Sequence, residues 1–271
     1  MRKQFICAIK KDVCEYMRGK KNLLFVGTLL MVSLMMVFAT KFLPSLIESA
    51  INNMPSMITN PDTIISTLSD LFPSNLLGNM GIFASDIVVF YGLVVIFSTY
   101  NIISREISVG KWIFPLCSGY NPYVLVLSKA LVYSLGSALP CFVIYNVYYF
   151  IGASIIENNY LFSTAIINSI FMAIAMFFIT FITILLSSIY SKPALGATTM
   201  LLFVIIAPDI FSLFSFGKFL PTHLLTFLYT SSDNFVELII PILMCVVISV
   251  VLVILTIKTL PKKTRTSRFE N

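Results

Sequence analysis

The residues best placed to do chemistry lie between two long apolar runs, in the stretch Ser104-Arg105-Glu106-Ile107-Ser108-Val109-Gly110-Lys111-Trp112-Ile113-Phe114-Pro115. It holds the only Trp of the chain and gathers Arg105, Glu106 and Lys111 in a sequence that is 11% charged. Charges beside an aromatic cluster in a short loop are suited to recognising another protein. Ser104 is placed to cap a short helix with Arg105 and Glu106 in its first turns. Gly110 permits a bend. Trp112, Ile113, Phe114 and Leu116 then read as a compact, exposed apolar knob of the kind that anchors an interface. The competing reading seats Trp112 in the headgroup layer of a membrane.

Other chemistry is thin. Gly110-Lys111 is the nearest fragment of a G-x-x-x-x-G-K-[ST] run, and it lacks the upstream Gly and the following Ser or Thr, so a nucleotide is not expected to bind by that route. His223 is the single His and has no H-x-x-H or C-x-x-C partner, so no metal site is expected. No G-x-S-x-G elbow and no H-E-x-x-H occur, which disfavours an enzyme. The five Cys (Cys7, Cys14, Cys117, Cys141, Cys245) read as small apolar fillers. Acids fall near the ends of apolar runs at Asp86, Glu157, Asp209 and Glu237. An acid in hydrocarbon is a proton or cation site by default. Asp209, after Pro208, is the best of them, because Pro frees a backbone carbonyl one turn back. Phe177 and Phe181, with Phe171 and Phe178, are placed to line a path for an apolar substrate, or to pack.

The elements that must hold these residues are membrane spans. The chain has 271 residues and is 58% hydrophobic, against roughly 45–50% apolar and about 25% charged in a soluble domain. Nothing alternates as a barrel strand does, so the expected class is an all-α integral membrane protein. Six runs of about 20 apolar residues qualify as spans: 23–43, 82–103, 124–153, 161–190, 194–214 and 235–257. The third exceeds the bilayer thickness. Residues 1–22 carry Phe5, Ile9, Val13 and Tyr16/Met17 at helical spacing on one face and a basic face opposite, which predicts an amphipathic helix in the headgroup layer. Nucleic-acid binding is disfavoured for that patch because a span follows at once. Residues 44–81 read as an outer loop in which Ile64, Ile65, Leu68, Leu71 and Phe72 form a short amphipathic helix. Small residues Ala194, Gly196, Ala197, Thr198 and Thr199 predict close helix approach at the fifth span. All Lys and Arg except Lys41 and Lys218 lie in the N-terminal segment, the 104–129 region, the 191–193 turn and the tail. The positive-inside rule then puts both termini in the cytosol. One transmembrane domain over 1–271 is expected, made of the 1–22 helix, a 23–258 core and a basic 259–271 tail.

On this frame, Arg105-Glu106, Gly110, and Lys129 nineteen residues after that Gly, resemble the cytosolic loop of ABC transporter permeases of the type-2 exporter class. That loop usually runs Arg-Glu, a spacer, Gly-Thr, an apolar helical run, a Pro turn, and a Lys opening the third span. Here Lys111 stands where Thr is common. Gly119 stands where the turn Pro is common, flanked by Pro115 and Pro122. The helix in the loop is therefore expected to be shorter or differently ended. The resemblance implies a coupling helix between spans two and three, with Arg105, Glu106, Gly110, Trp112, Phe114 and Lys129 in energy coupling. It also implies two cytosolic ATPase subunits carrying ATP and Mg, none bound by this chain, and a second permease chain, identical or homologous. The setting it implies is a bacterial plasma membrane, with an amphipathic or hydrophobic cargo such as a peptide or a drug leaving outward. Two alternatives stand beside it. One is an ion- or proton-coupled secondary transporter using Asp86, Asp209 or Glu237. The other is a non-transporting membrane scaffold.

Overall fold

The computed structural model describes residues 2–53, 75–156, 160–190, 192–227 and 235–266, and the expected outer amphipathic segment at 64–72 lies outside them. The described chain is helical. It runs through α1 (Arg2–Arg18), α2 (Lys20–Asn53), α3 (Leu76–Asp86), a π-helical turn (Ile87–Tyr91), α4 (Gly92–Thr99), α5 (Ile102–Ser108) and α6 (Ile113–Cys117). It continues through α7 (Pro122–Ile155), α8 (Phe162–Ile189), α9 (Pro193–Ile205), α10 (Ala207–Ser212), a 3-10 turn (Ser215–Phe219), α11 (His223–Thr226) and α12 (Phe235–Thr266). Among the described residues, five helical segments are long and apolar enough to cross a membrane: Lys20–Phe42, Leu76–Ser108, Pro122–Ile155, Phe162–Ile189 and Ile239–Thr259. That makes the chain a multi-pass membrane protein. The 194–214 run is divided instead. Its first part is the 13-residue α9, the chain kinks at Ile206, and α10 follows with Pro208 in its first turn. Pro208 has no N–H to return to the carbonyl of Val204, which explains a break one turn before it. The helix of the last span does not stop at 258 but carries on to Thr266.

The hairpin of α7 and α8 is the centre of the molecule, with α1 and α2 packed against α7, and α9 and α12 against α8. Its interface follows the logic of helices in lipid, where apolar contact alone does not discriminate and small or polar side chains hold helices together. Ser137 and Thr180 share a hydrogen bond of 2.6 Å, and Asn146 donates to Ser169 at 2.9 Å. The expected tight approach at the fifth span is present: a Cβ on Gly196 would lie 2.7 Å from the backbone N of Ser187.

α7 has 34 residues, about 51 Å at 1.5 Å per residue, against a hydrocarbon core of about 30 Å. The helix is therefore longer than that core is thick, as its length in sequence predicted, and it tilts or projects to fit. Pro122 opens the helix at a position that needs no N–H donor. Pro140 interrupts it internally. The contacts of α1 follow α7 in order. Gln4 donates to the carbonyl of Gly119, Asp12 meets Ser128 and Lys129, and Tyr16 meets Gly136. The two helices therefore run side by side in the same direction, so α1 is fastened along α7. Its buried stripe is Ala8, Asp12 and Tyr16, whereas Val13 and Met17 of the predicted apolar face are not covered by the protein.

Candidate functional site

α5, α6 and the N-terminal end of α7 build the loop that the sequence singles out, and two glycines shape it. α5 begins at Ile102, so Ser104 lies within the helix and does not cap it. The helix ends in a Schellman turn: Gly110 N–H donates to Ile107 O at 3.1 Å and Lys111 N–H to Glu106 O at 3.0 Å. Gly110 has φ +76°, the left-handed conformation that such a turn requires. The short α6 ends in the same way. Gly119 N–H donates to Leu116 O, Tyr120 N–H donates to Pro115 O, and Gly119 has φ +80°. Gly119 in place of the expected turn Pro thus gives a five-residue helix with a glycine stop.

The side chains of this loop close on a buried ammonium. Lys129 is 2% exposed, and its Nζ lies 2.9 Å from Glu106 Oε1, 2.9 Å from Asp12 Oδ1 and 3.1 Å from Glu15 Oε2. The Ser128 hydroxyl donates to the second oxygen of Asp12. The second oxygen of Glu106 accepts the indole N–H of Trp112 at 3.0 Å. Lys111, half-exposed, reaches Glu15 at 2.9 Å and stands 4.0 Å from Glu106. Each buried carboxylate oxygen therefore has a donor, which is the condition on which a buried ion cluster is tolerated. Burial works against the charge on Glu15, but the hydrogen bond from Lys111 and the nearby Lys129 charge outweigh it and hold the carboxyl down at about 2.

Two expectations change here. Trp112 is 3% exposed, so it is neither a docking knob nor a headgroup anchor. The Gly110 turn folds the indole inward, where its N–H fixes the Glu106 carboxylate. The exposed tip is Ile113 and Phe114, at 63% and 82% exposure. Arg105 points outward and joins no ion pair with this cluster. The structure thus brings Glu106, Gly110, Trp112 and Lys129 together, with Phe114 displayed beside them.

The sequence reading missed Asp12 and Glu15. Their signal was present: Ala8, Asp12 and Tyr16 recur at i, i+4, i+8, so the acid belongs to the stripe that packs and not to the basic face. With Glu106 they are the acids of the cytosol-assigned segments ahead of the tail, and all three converge on Lys129.

The residues of the expected substrate path do not converge. Phe177 and Phe181 stack at 5.8 Å between centroids in a groove lined by Leu127 and Leu131 of α7 and by Val250 of α12. Asp209 lies exposed in the first turn of α10 and is not part of that groove. Asp86 is half-buried within the second span and immediately precedes the π-helical turn. The side chain of Glu237 lies outside the described residues. His223 opens α11 with its ring 5.0 Å from that of Phe227. No family model matches the chain, and no curated protein sequence does.

Proposed function

We propose that the chain is the membrane-spanning permease subunit of an ATP-driven ABC exporter, working with a second permease chain and two separate cytosolic ATPase subunits that carry ATP and Mg. One observation carries the reading: an exposed apolar tip, Ile113 and Phe114, stands on a loop locked to two helices through Lys129. An element that receives motion from a partner needs both properties, since a rigid base transmits a push and an exposed apolar tip gives the partner something to hold. A push on Phe114 passes through Trp112 and Glu106 to Lys129 of α7, and through Asp12 and Glu15 to α1.

In this reading α9 and α10 form the fifth of six spans as one kinked unit, together roughly 30 Å long at 1.5 Å per residue. Both termini and the α5–α6 loop face the cytosol of a bacterium, as the distribution of Lys and Arg favours. The loop is then the coupling helix. The cargo is amphipathic or hydrophobic, a peptide or a drug being of the right character, and it leaves outward.

Affinity purification of the tagged full chain from native membranes tests the reading. An ATPase is expected to co-purify and to be lost with Phe114→Asp, an exposed change that leaves thermal stability alone. If no ATPase accompanies the wild-type chain, or if Phe114→Asp alters neither its retention nor ATP turnover, the exporter reading fails. The ion-coupled alternative has Asp86 on its side, because π turns recur at functional sites. It requires that Asp86→Asn stop transport while ATPase retention is unchanged.

A further inference from the structure

We infer that the cleft between α8, α9, α11 and α12 holds one acyl chain of a bilayer lipid. The cleft has a volume of about 190 Å³, with walls that include Ala175 and Phe178 from α8, Met200 from α9, Leu224 from α11, and Cys245 and Leu252 from α12. Among the described residues no charged one lines it. Its one hydroxyl, that of Thr199, already donates to Leu195 O at 2.8 Å.

Water needs two to four polar partners in such a space, and it finds at most one here, the Thr199 hydroxyl. An apolar cavity of about 150 Å³ stays dry and takes up molecules such as benzene. Left empty, a void of this size forfeits the dispersion contacts of every atom around it. The occupant is therefore hydrocarbon. Its source is fixed by what lies next to the walls. The wall residue Thr199 is itself exposed and the wall residues Phe203 and Ile248 are half-buried, so the cleft opens at the outside of the bundle, and Ile248 belongs to the Ile239–Thr259 span. In a membrane that surface meets acyl chains. A polar headgroup has no partner among the walls, so a tail enters and the headgroup stays outside. Phe178 borders both this cleft and the Phe177–Phe181 groove. The cleft and its occupant do not depend on the exporter reading.

The full chain in phosphatidylcholine nanodiscs, doped with a phosphatidylcholine bearing a photoreactive diazirine on one acyl chain, gives the test. After irradiation, adducts mapped by mass spectrometry are expected on Met200 and Cys245 as well as on the exposed Val247. Cys245→Phe fills the cleft, and the Met200 adducts should fall at least tenfold while those on Val247 persist. Should that variant lose the Val247 adducts too, it has not folded into the disc, and Ala175→Leu, which fills the cleft from the facing helix, decides. Adducts confined to Val247 in the wild-type chain, or Met200 adducts that survive filling, overturn the inference.

Discussion

The hydroxyl of Tyr16 on α1 donates at 2.8 Å to the carbonyl of Gly136 on α7, the carbonyl opposite the N–H that Pro140 lacks. The next carbonyl, that of Ser137, accepts from Tyr91 at 2.8 Å. A proline in the middle of a long buried helix is thereby made tolerable by two tyrosines, one from the N-terminal helix and one from the π-helical turn. The approach is close because residue 136 has no side chain: a Cβ there would lie 2.4 Å from Tyr16 Cζ.

Tyr16→Phe should therefore lose about 1–3 kcal/mol, the range for a buried polar group left without its partner. The expected loss shrinks when Pro140→Ala is present, because the helix then satisfies Gly136 itself. Thermal unfolding of the two single variants and the double variant measures this coupling. Equal losses in both backgrounds would show that Tyr16 contributes only its ring, which packs edge-on against Tyr133 at 5.3 Å.

Lys129 is the second bolt between α1 and α7, and here the argument is one of charge. Removing it leaves Asp12 and Glu106, at 3% and 7% side-chain exposure, without their nearest cation. Breaking a buried pair in this way costs about 3–5 kcal/mol. Lys129→Met should lower the melting temperature strongly, and adding Asp12→Asn and Glu106→Gln should recover much of it, since the stranded charges go with them. The single Trp provides a second readout. Trp112 is buried and bonded to Glu106, so its emission should shift to the red in Lys129→Met as the loop opens.

Glu15 gives the pH dependence. Its carboxyl is held at about 2 in the fold, against an ordinary value of 4.5. A group whose folded value is depressed contributes stability that is fully present above 4.5 and is lost as pH falls through about 2. Glu15 is one-third exposed, so solvent weakens its pairs with Lys111 and Lys129. Thermal unfolding between pH 6 and pH 2 should decline more steeply for wild type than for Glu15→Gln, with the curves approaching each other at the acid end. Parallel curves would mean that Lys111 and Lys129 do not stabilise the charged form.

Much of this was legible in the sequence. Apolar length alone marks the long helices, and the excess of α7 over the bilayer thickness follows from its residue count. The pattern that includes Glu106 and Lys129 picks out two side chains that do meet. The direction in which Trp112 points was not legible, because it depends on the sense of the chain reversal at Gly110, and spacing cannot supply that. Asp12 and Glu15 were hidden for a different reason. Surrounded by Lys10, Lys11 and Arg18, they look like counter-charges on a solvated face until the stripe from Ala8 to Tyr16 is followed. The π turn after Asp86 has no composition of its own. The division of the 194–214 run was signalled by Pro208, whose effect falls one turn earlier than the residue itself.

The two glycine stops offer the last prediction, and they separate backbone from contact. Gly110 and Gly119 have nearly the same φ, +76° and +80°, so an alanine at either should cost about 1–2 kcal/mol for entering the left-handed region. Their surroundings differ. A Cβ on Gly119 meets nothing within 4 Å, whereas one on Gly110 comes to 3.2 Å from Ile113 Cδ1. Gly119→Ala should act only through stability. Gly110→Ala should in addition push Ile113 away from its place beside Phe114 and alter the exposed tip. The comparison is therefore made at matched loss of melting temperature. Gly110→Ala should weaken retention of the proposed ATPase more than Gly119→Ala does, while Gly110→Asn, which tolerates positive φ better, should recover stability without recovering retention. Equal retention for the two alanine variants would assign both glycines to the backbone alone and leave the position of Ile113 without a role in docking.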